Sequence, residues 1–429
     1  MTERKITVNA LARVEGEGAL NVRIRGGEVE IVEFRIFEPP RFFEGLLQGR
    51  DATEAPDITS RICGICPVAY ITSASQAVEQ AYGVEITPEI AALRRLIYCG
   101  EWIQSHVLHA AMLHAPDFLG LHDVIAISEL EPELVTTALR LKKLGNDLME
   151  AIGGRAVHPI NTRVGGFFKA PDSAEIAALL PELEWGIAAA REMALRFARF
   201  DFPEDAGDYI FVALVHPEHY PIETGRIATS TELDIPVDAF HAHFMEEQVA
   251  RSMALHGRMR DGSAYIVGPL ARYALNRARL SETAKQTAGE CGLAEVERNP
   301  FKSILVRMVE VQYACEEALR LARAYVPPDP PSMPLSPRAG VGQGCSEAPR
   351  GICHHRYEID DAGRIVTATI VPPTSQNQPQ IEADLERVIR SSLALDDAAL
   401  QWRCEQVIRN YDPCISCATH FLKLSVERG

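Results

Sequence analysis

Four cysteines, set as two Cys-x-x-Cys pairs, hold the most specific chemistry in this chain. Cys63 and Cys66 lie in Arg61-Ile62-Cys63-Gly64-Ile65-Cys66, and Cys414 and Cys417 in Asp412-Pro413-Cys414-Ile415-Ser416-Cys417-Ala418-Thr419-His420. Two thiolates separated by two residues can face one ion, so a pair from each end supplies four sulfur ligands of the kind that select soft or borderline metals. Structural zinc is the ordinary reading of such a set. Structural zinc, however, usually staples a small module whose pairs lie close in sequence, whereas here about 350 residues intervene. The spacing places the site at the centre of a large fold.

The elements that must position these cysteines follow from apolar periodicity. From Lys5 to Glu38 the pattern alternates, with Leu20, Val22 and Ile24 on one strand face and Val29 and Ile31 after the Gly26-Gly27 turn, which predicts a small antiparallel sheet. After Thr87-Pro88-Glu89, apolar residues recur at helical spacing from Leu93 to Ala110, predicting a long helix that ends near Pro116. Further helices are predicted from Pro132 to Ile152, from a capping box at Asp172 and Glu175 to about Phe200, and from Asn299-Pro300 to about Tyr325. The middle of the chain therefore reads as mostly helical. A Pro-rich stretch from Val326 to Pro337 breaks the pattern, strands follow at Ile352 to Ile359 and Arg364 to Val371, and helix returns before Asp412. The class is α+β, mainly helical: a long-helix bundle with small antiparallel sheets near the N-terminus and in the C-terminal third.

The 429 residues can bury a large core, and 43 basic against 59 acidic side chains give a formal charge of −16. That balance argues against a nucleic-acid or anionic-membrane partner, which needs a basic footprint. Ten cysteines are too few for a disulfide scaffold in a chain this long, and their pairing favours metal or redox chemistry in a reducing compartment, read as the cytoplasm. The N-terminus lacks the apolar run of a secretory signal, and no segment reaches the roughly 18 apolar residues of a membrane span.

Read together, Arg-Ile-Cys-Gly-Ile-Cys-Pro and Asp-Pro-Cys-Ile-Ser-Cys-Ala-Thr-His closely resemble the two signatures of the nickel-iron hydrogenase large subunit. Arg13-Val14-Glu15-Gly16, Arg41-Phe42-Phe43-Glu44, Gly154-Arg155-Ala156-Val157-His158-Pro159, Gly165-Gly166-Phe167 and Glu347-Ala348-Pro349-Arg350-Gly351 resemble further segments of that family, in the same order. The resemblance runs nearly end to end and is closest to the cytoplasmic, nicotinamide-linked or sulfur-reducing branch. It implies one large-subunit domain over 1–429, with an N-terminal β region at 1–50, a mainly helical region at 51–325, and a β-hairpin plus C-terminal metal-binding segment at 338–429.

By this resemblance, Cys63 and Cys414 would be terminal ligands of nickel, while Cys66 and Cys417 would bridge it to an iron carrying carbon monoxide and cyanide. Arg350 would stand over the open metal position, paired with and oriented by Asp117 and Asp412. Arginine suits the place because it stays protonated where a buried lysine could not. Glu15 would accept a proton from Cys414, Glu44 and His420 would hold a magnesium ion, and Thr374, after Pro372-Pro373, would donate to one cyanide while backbone around Pro349 and Arg350 contacts the other. The implied activity is reversible cleavage of dihydrogen to protons and electrons. No other cysteine group has iron-sulfur spacing and no Gly-rich phosphate fingerprint is present. Electrons would therefore leave through an iron-sulfur small subunit, with flavin and iron-sulfur diaphorase-type subunits beyond it; maturation factors and a C-terminal endopeptidase are implied as well.

Two departures stand out. Tyr70 occupies a position where many relatives carry histidine, and Phe421 to Gly429 extend past His420, where much of the family is cleaved. Rival readings are a deazaflavin- or disulfide-reductase-linked hydrogenase, a hydrogen sensor, a metal-free scaffold homologue, and a zinc protein. His106 and His109, three apart on the long helix, could ligate a metal, but a satisfied core or interface role is the default, and His354-His355 with Cys99, Cys291, Cys315, Cys345, Cys353 and Cys404 show no ligand spacing and read as packing residues.

Overall fold

Alternating apolar residues near the N-terminus form the expected sheet. The computed structural model describes residues 3–419, and in it strands Glu3–Val8, Gly18–Arg25 and Glu28–Ile36 pair antiparallel in chain order. Leu20, Val22 and Ile24 are buried on one face, as the period-two pattern requires.

The bundle is built from helices Pro67–Tyr82, Pro88–Val107, Pro132–Gly153, Leu180–Phe197 and Ser303–Arg323. Thr87 caps the second of these by accepting from the Ile90 amide. That helix stops at Val107, earlier than the periodicity suggests. Its last apolar residues continue into a wider π turn, Leu108–His114, before a short helix Ala115–Leu119 carries Pro116 in its first turn. Asp172 and Glu175 do form a capping box, but on a five-residue helix, Ser173–Ala177, and the longer helix starts separately at Leu180. Asn299 and Pro300 open a single tight turn ahead of Ser303–Arg323.

The expectation of a mostly helical middle fails between 200 and 268. Val212–Val215, Arg226–Thr229 and Asp234–Ile235 form one antiparallel sheet, and Phe244–Gln248 pairs with Leu255–Met259 in a hairpin. These strands have two to five residues each, too short to show an alternation.

In the C-terminal third, Gly340–Ala348, Gly351–Ile359 and Ile365–Val371 make an antiparallel sheet against the Pro67–Tyr82 helix. Helices Pro373–Ser391 and Asp397–Asn410 then deliver the chain to Cys414. Among the described residues no helix is long and apolar enough to cross a membrane.

Candidate metal centre

The two cysteine pairs reach the site from helix ends. Cys66 immediately precedes the Pro67–Tyr82 helix, whose first amides, Val68 and Ala69, donate to the buried Glu101 carboxylate. Cys414 precedes the four-residue helix Ile415–Ala418. The sulfurs of Cys63, Cys66, Cys414 and Cys417 all lie within 4.8 Å of one another and are buried. Cys63 Sγ is 3.4 Å from Cys414 Sγ, and Cys66 Sγ is 3.6 Å from Cys417 Sγ.

Four thiols this close cannot all ionise side by side without a cation. Hydrogen bonds from Cys414, Cys417 and Cys66 pull the Cys63 thiol well down, while burial pushes Cys414 and Cys417 up. The amides of Ile65 and Cys66 both donate to Cys63 Sγ at 3.3 Å, consistent with sulfur that carries charge.

Glu15 closes one side. Its backbone carbonyl accepts from Ile415 N, and its carboxylate Oε2 accepts from Cys414 Sγ at 3.1 Å and from Ser416 N at 3.0 Å. The next residue, Gly16, has φ +88°, and an added Cβ would lie 2.7 Å from Ile415 Cβ, so the N-terminal segment can approach the second pair this closely only with glycine there.

Arg350 closes another side from the tight turn between Gly340–Ala348 and Gly351–Ile359. The guanidinium is buried and donates from Nε to the Asp412 carbonyl at 2.7 Å and from Nη2 to Asp412 Oδ1 at 3.0 Å; Nη1 lies 3.4 Å from Ser105 Oγ. Burial opposes its charge, but Asp412 and the sulfurs of Cys414, Cys66 and Cys63 outweigh it and hold the proton on. Burial pushes the Asp412 carboxyl up as well, against the pull of Arg350 and Arg307. The charge-assisted contact at Oδ1 favours an ionic pair.

Asp117 does not pair with Arg350. Its Oδ1 accepts from Arg13 at 2.6 Å and from Arg409 at 2.8 Å, and its Oδ2 accepts from Arg409 at 2.7 Å. Two arginines occupy both oxygens, so of the two aspartates only Asp412 orients Arg350. What Asp117 does is tie the N-terminal segment bearing Glu15 to the Asp397–Asn410 helix that leads to Cys414.

Thr374 lies at a helix start. It sits in the first turn of Pro373–Ser391, and its Oγ1 accepts from the Cys414 amide at 3.0 Å. The Pro349 carbonyl accepts from Arg272, whose guanidinium also bonds Glu310, Glu347 and the Ala348 carbonyl and lies over the Trp102 ring. Glu44 accepts from the Ile370 amide at 2.8 Å, while His420 and the segment Phe421 to Gly429 lie outside the described residues. Tyr70 is buried with its ring edge-on to His355; burial pushes its phenol well up, which keeps the proton on.

Arg409, Arg272, Glu101 and Ser105 escape a reading by motif, and Arg13 stands in one without a role of its own. Glu101 and Ser105 did leave a signal, as polar residues inside the apolar stretch of the long helix. Arg272 and Arg409 left none, because their partners are far away in sequence. The six remaining cysteines are buried, and among the described residues they form no second metal-holding group.

Known proteins are similar to this chain over nearly its whole length. The family described as nickel-dependent hydrogenase matches residues 41–137 and 255–420, which include all four cysteines. The alpha subunit of sulfhydrogenase 2 from Pyrococcus furiosus is 32% identical over 98% of this chain and 100% of its own. The beta subunit of the NAD-reducing hydrogenase of Cupriavidus necator is 25% identical over 98% of this chain and 95% of its own. Among solved structures, an NAD+-reducing [NiFe]-hydrogenase in the H2-reduced state superposes with a TM-score of 0.86 at 25% identity, covering 97% of this chain and 99% of that one. With similarity running through both cysteine motifs and across nearly the whole length of its relatives, the chain belongs to the nickel-dependent hydrogenase family as a large subunit.

Proposed function

We propose that this chain is the dihydrogen-cleaving subunit of a cytoplasmic hydrogenase, that 1–429 works as one domain, and that its electrons pass through an iron-sulfur small subunit to NAD(P) or a sulfur-type acceptor. The observation that carries the reading is the convergence of four buried sulfurs beneath Arg350 and beside Glu15. The donor set fits a nickel-iron centre: sulfur only, shielded from water, with a permanent cation against the excess negative charge. Cys63, Cys66, Cys414 and Cys417 would hold the nickel and an iron with carbon monoxide and cyanide, Cys63 and Cys414 serving the nickel and Cys66 and Cys417 both metals. Glu44 and His420 are assigned to magnesium.

When bound, the centre supplies the redox-active Lewis acid at which dihydrogen is split into two protons and two electrons. The chain's own residues do the rest. Arg350, locked on Asp412, presents a fixed positive charge to the reacting position. The Cys414 sulfur holds a proton that the Glu15 carboxylate, 3.1 Å away, takes and passes outward. Thr374 fixes the Cys414 backbone, keeping that sulfur in register with Glu15. Arg272 fixes the Pro349 carbonyl and with it the turn that carries Arg350.

The relatives named sulfhydrogenase and NAD-reducing hydrogenase support the two acceptors, and flavin and iron-sulfur diaphorase-type subunits would complete the path. Maturation factors and a C-terminal endopeptidase acting after His420 belong to the same reading. The test is an infrared spectrum of the natively purified protein with elemental analysis, followed by hydrogen-dependent reduction of NAD(P) and of polysulfide. Carbonyl and cyanide bands with nickel present are expected. Zinc alone, with no such bands, would overturn the reading.

A further inference from the structure

One arginine touches both cysteine motifs at once. Arg41 lies in the stretch between the N-terminal sheet and Glu44, and its Nη2 donates to the Ile62 carbonyl at 2.6 Å and to the Ser416 carbonyl at 2.5 Å. Ile62 immediately precedes Cys63, and Ser416 lies between Cys414 and Cys417. The Arg41 amide donates in turn to the Thr419 carbonyl at 2.8 Å. Side chain and backbone of a single residue therefore grip the segment 416–419 and join it to the turn that begins the first pair.

The bonding has a clear physical logic. Hydrogen bonds from a charged donor are roughly twice as strong as neutral ones, and a half-buried guanidinium resting 5.4 Å from the Phe43 ring is held in place. The second cysteine pair lies on a helix of only four residues, which has little stability of its own. Apart from Glu15 and Thr374, which hold Cys414 and Ser416 from other sides, the segment's link to the first pair runs through sulfur contacts and through Arg41.

We propose that Arg41 is a positioning residue that latches the two cysteine motifs together, keeping the four sulfurs at their spacing and setting how tightly the metal centre is retained. The inference rests on the reading of the four sulfurs as the metal site. Its direct readout, the exchange of backbone amides, does not depend on which metal is bound.

The experiment compares Arg41→Met, which keeps length and removes every side-chain donor, with Arg41→Lys, which keeps a charged donor, in the enzyme as purified. Amide hydrogen exchange is followed at Ile415–Thr419 and, as a control, in the Pro88–Val107 helix, and nickel release to a chelator is timed. Losing two charge-assisted bonds is expected to speed exchange at Ile415–Thr419 and nickel release about ten-fold or more in Arg41→Met, with the control helix unchanged and Arg41→Lys closer to wild type. Wild-type exchange and nickel retention in Arg41→Met would overturn the proposal, as would an equal loss of protection in the control helix, which would mark general destabilisation. A wild-type protein without nickel would instead defeat the metal assignment, and the exchange data would still decide the latch.

Discussion

The Glu15 carboxylate accepts a hydrogen bond from the Cys414 sulfur at 3.1 Å and, through the same oxygen, one from the Ser416 amide. One carboxylate thus both positions the second cysteine turn and faces its first sulfur. Glutamine can still accept these bonds through its amide oxygen but cannot carry a proton away. Glu15→Gln is therefore expected to keep its metal content and carbonyl band while hydrogen oxidation falls about 10²-fold or more. Assay with an artificial acceptor, beside infrared spectra of the same sample, checks this; near wild-type turnover would remove Glu15 from the proton route.

Arg350→Lys tests geometry separately from charge. Arg350 engages the Asp412 carbonyl through Nε and Asp412 Oδ1 through Nη2, and a single ammonium cannot reproduce that fixed fork. The charge remains but moves. Turnover is expected to drop about 10²-fold with the metals retained, the scale seen when one preorganised donor is lost. A variant that keeps full turnover would show that charge alone is enough.

Asp117 predicts a stability effect with a functional echo. Its carboxylate is the shared acceptor of Arg13 and Arg409, and Asp117→Ala would leave Arg13 without a carboxylate partner and Arg409 with Glu405 alone, both guanidinium groups being mostly buried. The cost should be about 3 kcal/mol or more, read from denaturant unfolding. Because Arg13 sits two residues before Glu15, the surviving folded enzyme should also lose turnover. Asp117→Ala with full stability would show that the arginines find other partners.

How much of this could be read in advance depended on the range of the interactions. Thr87 before Pro88, and Asp172 with Glu175, announce helix starts because a cap involves neighbours three residues apart. The four cysteines and Glu15 were legible as motifs. The strand Gly340–Ala348 was not, since Gly340, Gly342 and Gly344 interrupt any alternation. The reason lies across the interface: a Cβ on Gly342 would lie 1.8 Å from the Ala77 carbonyl and one on Gly344 2.1 Å from the Ser73 carbonyl, so the strand rests directly on helix Pro67–Tyr82. Asp117 was placed with the wrong arginine for the same reason, because nothing local distinguishes Arg350 from Arg13 and Arg409 as its partner.

Buried histidines give the last prediction, a dependence of stability on pH. Burial lowers His106 to about 4, partly countered by Glu310, and lowers His256 to about 4, with Arg251 and Arg258 adding to the effect. Burial also lowers His109, His114 and His354. Each of these binds a proton near pH 6.5 once unfolded but stays neutral in the fold, so its contribution is fully present above pH 6.5 and is lost as pH falls towards 4. Glu347, which burial pushes up to about 7 despite Arg272, acts in the opposite sense: its contribution is present below about 4.5 and lost as pH rises through 7. Glu101 and Asp412, which burial also pushes up, act as Glu347 does, but five histidines against three carboxyls still leave stability climbing from pH 4 to 6.5, by about 1.4 kcal/mol per pH unit for each uncompensated histidine. Unfolding midpoints measured across that range check the climb, and His106→Gln should flatten it by about one proton. A profile level between pH 4 and 6.5 would mean that these histidines already carry their protons inside the fold.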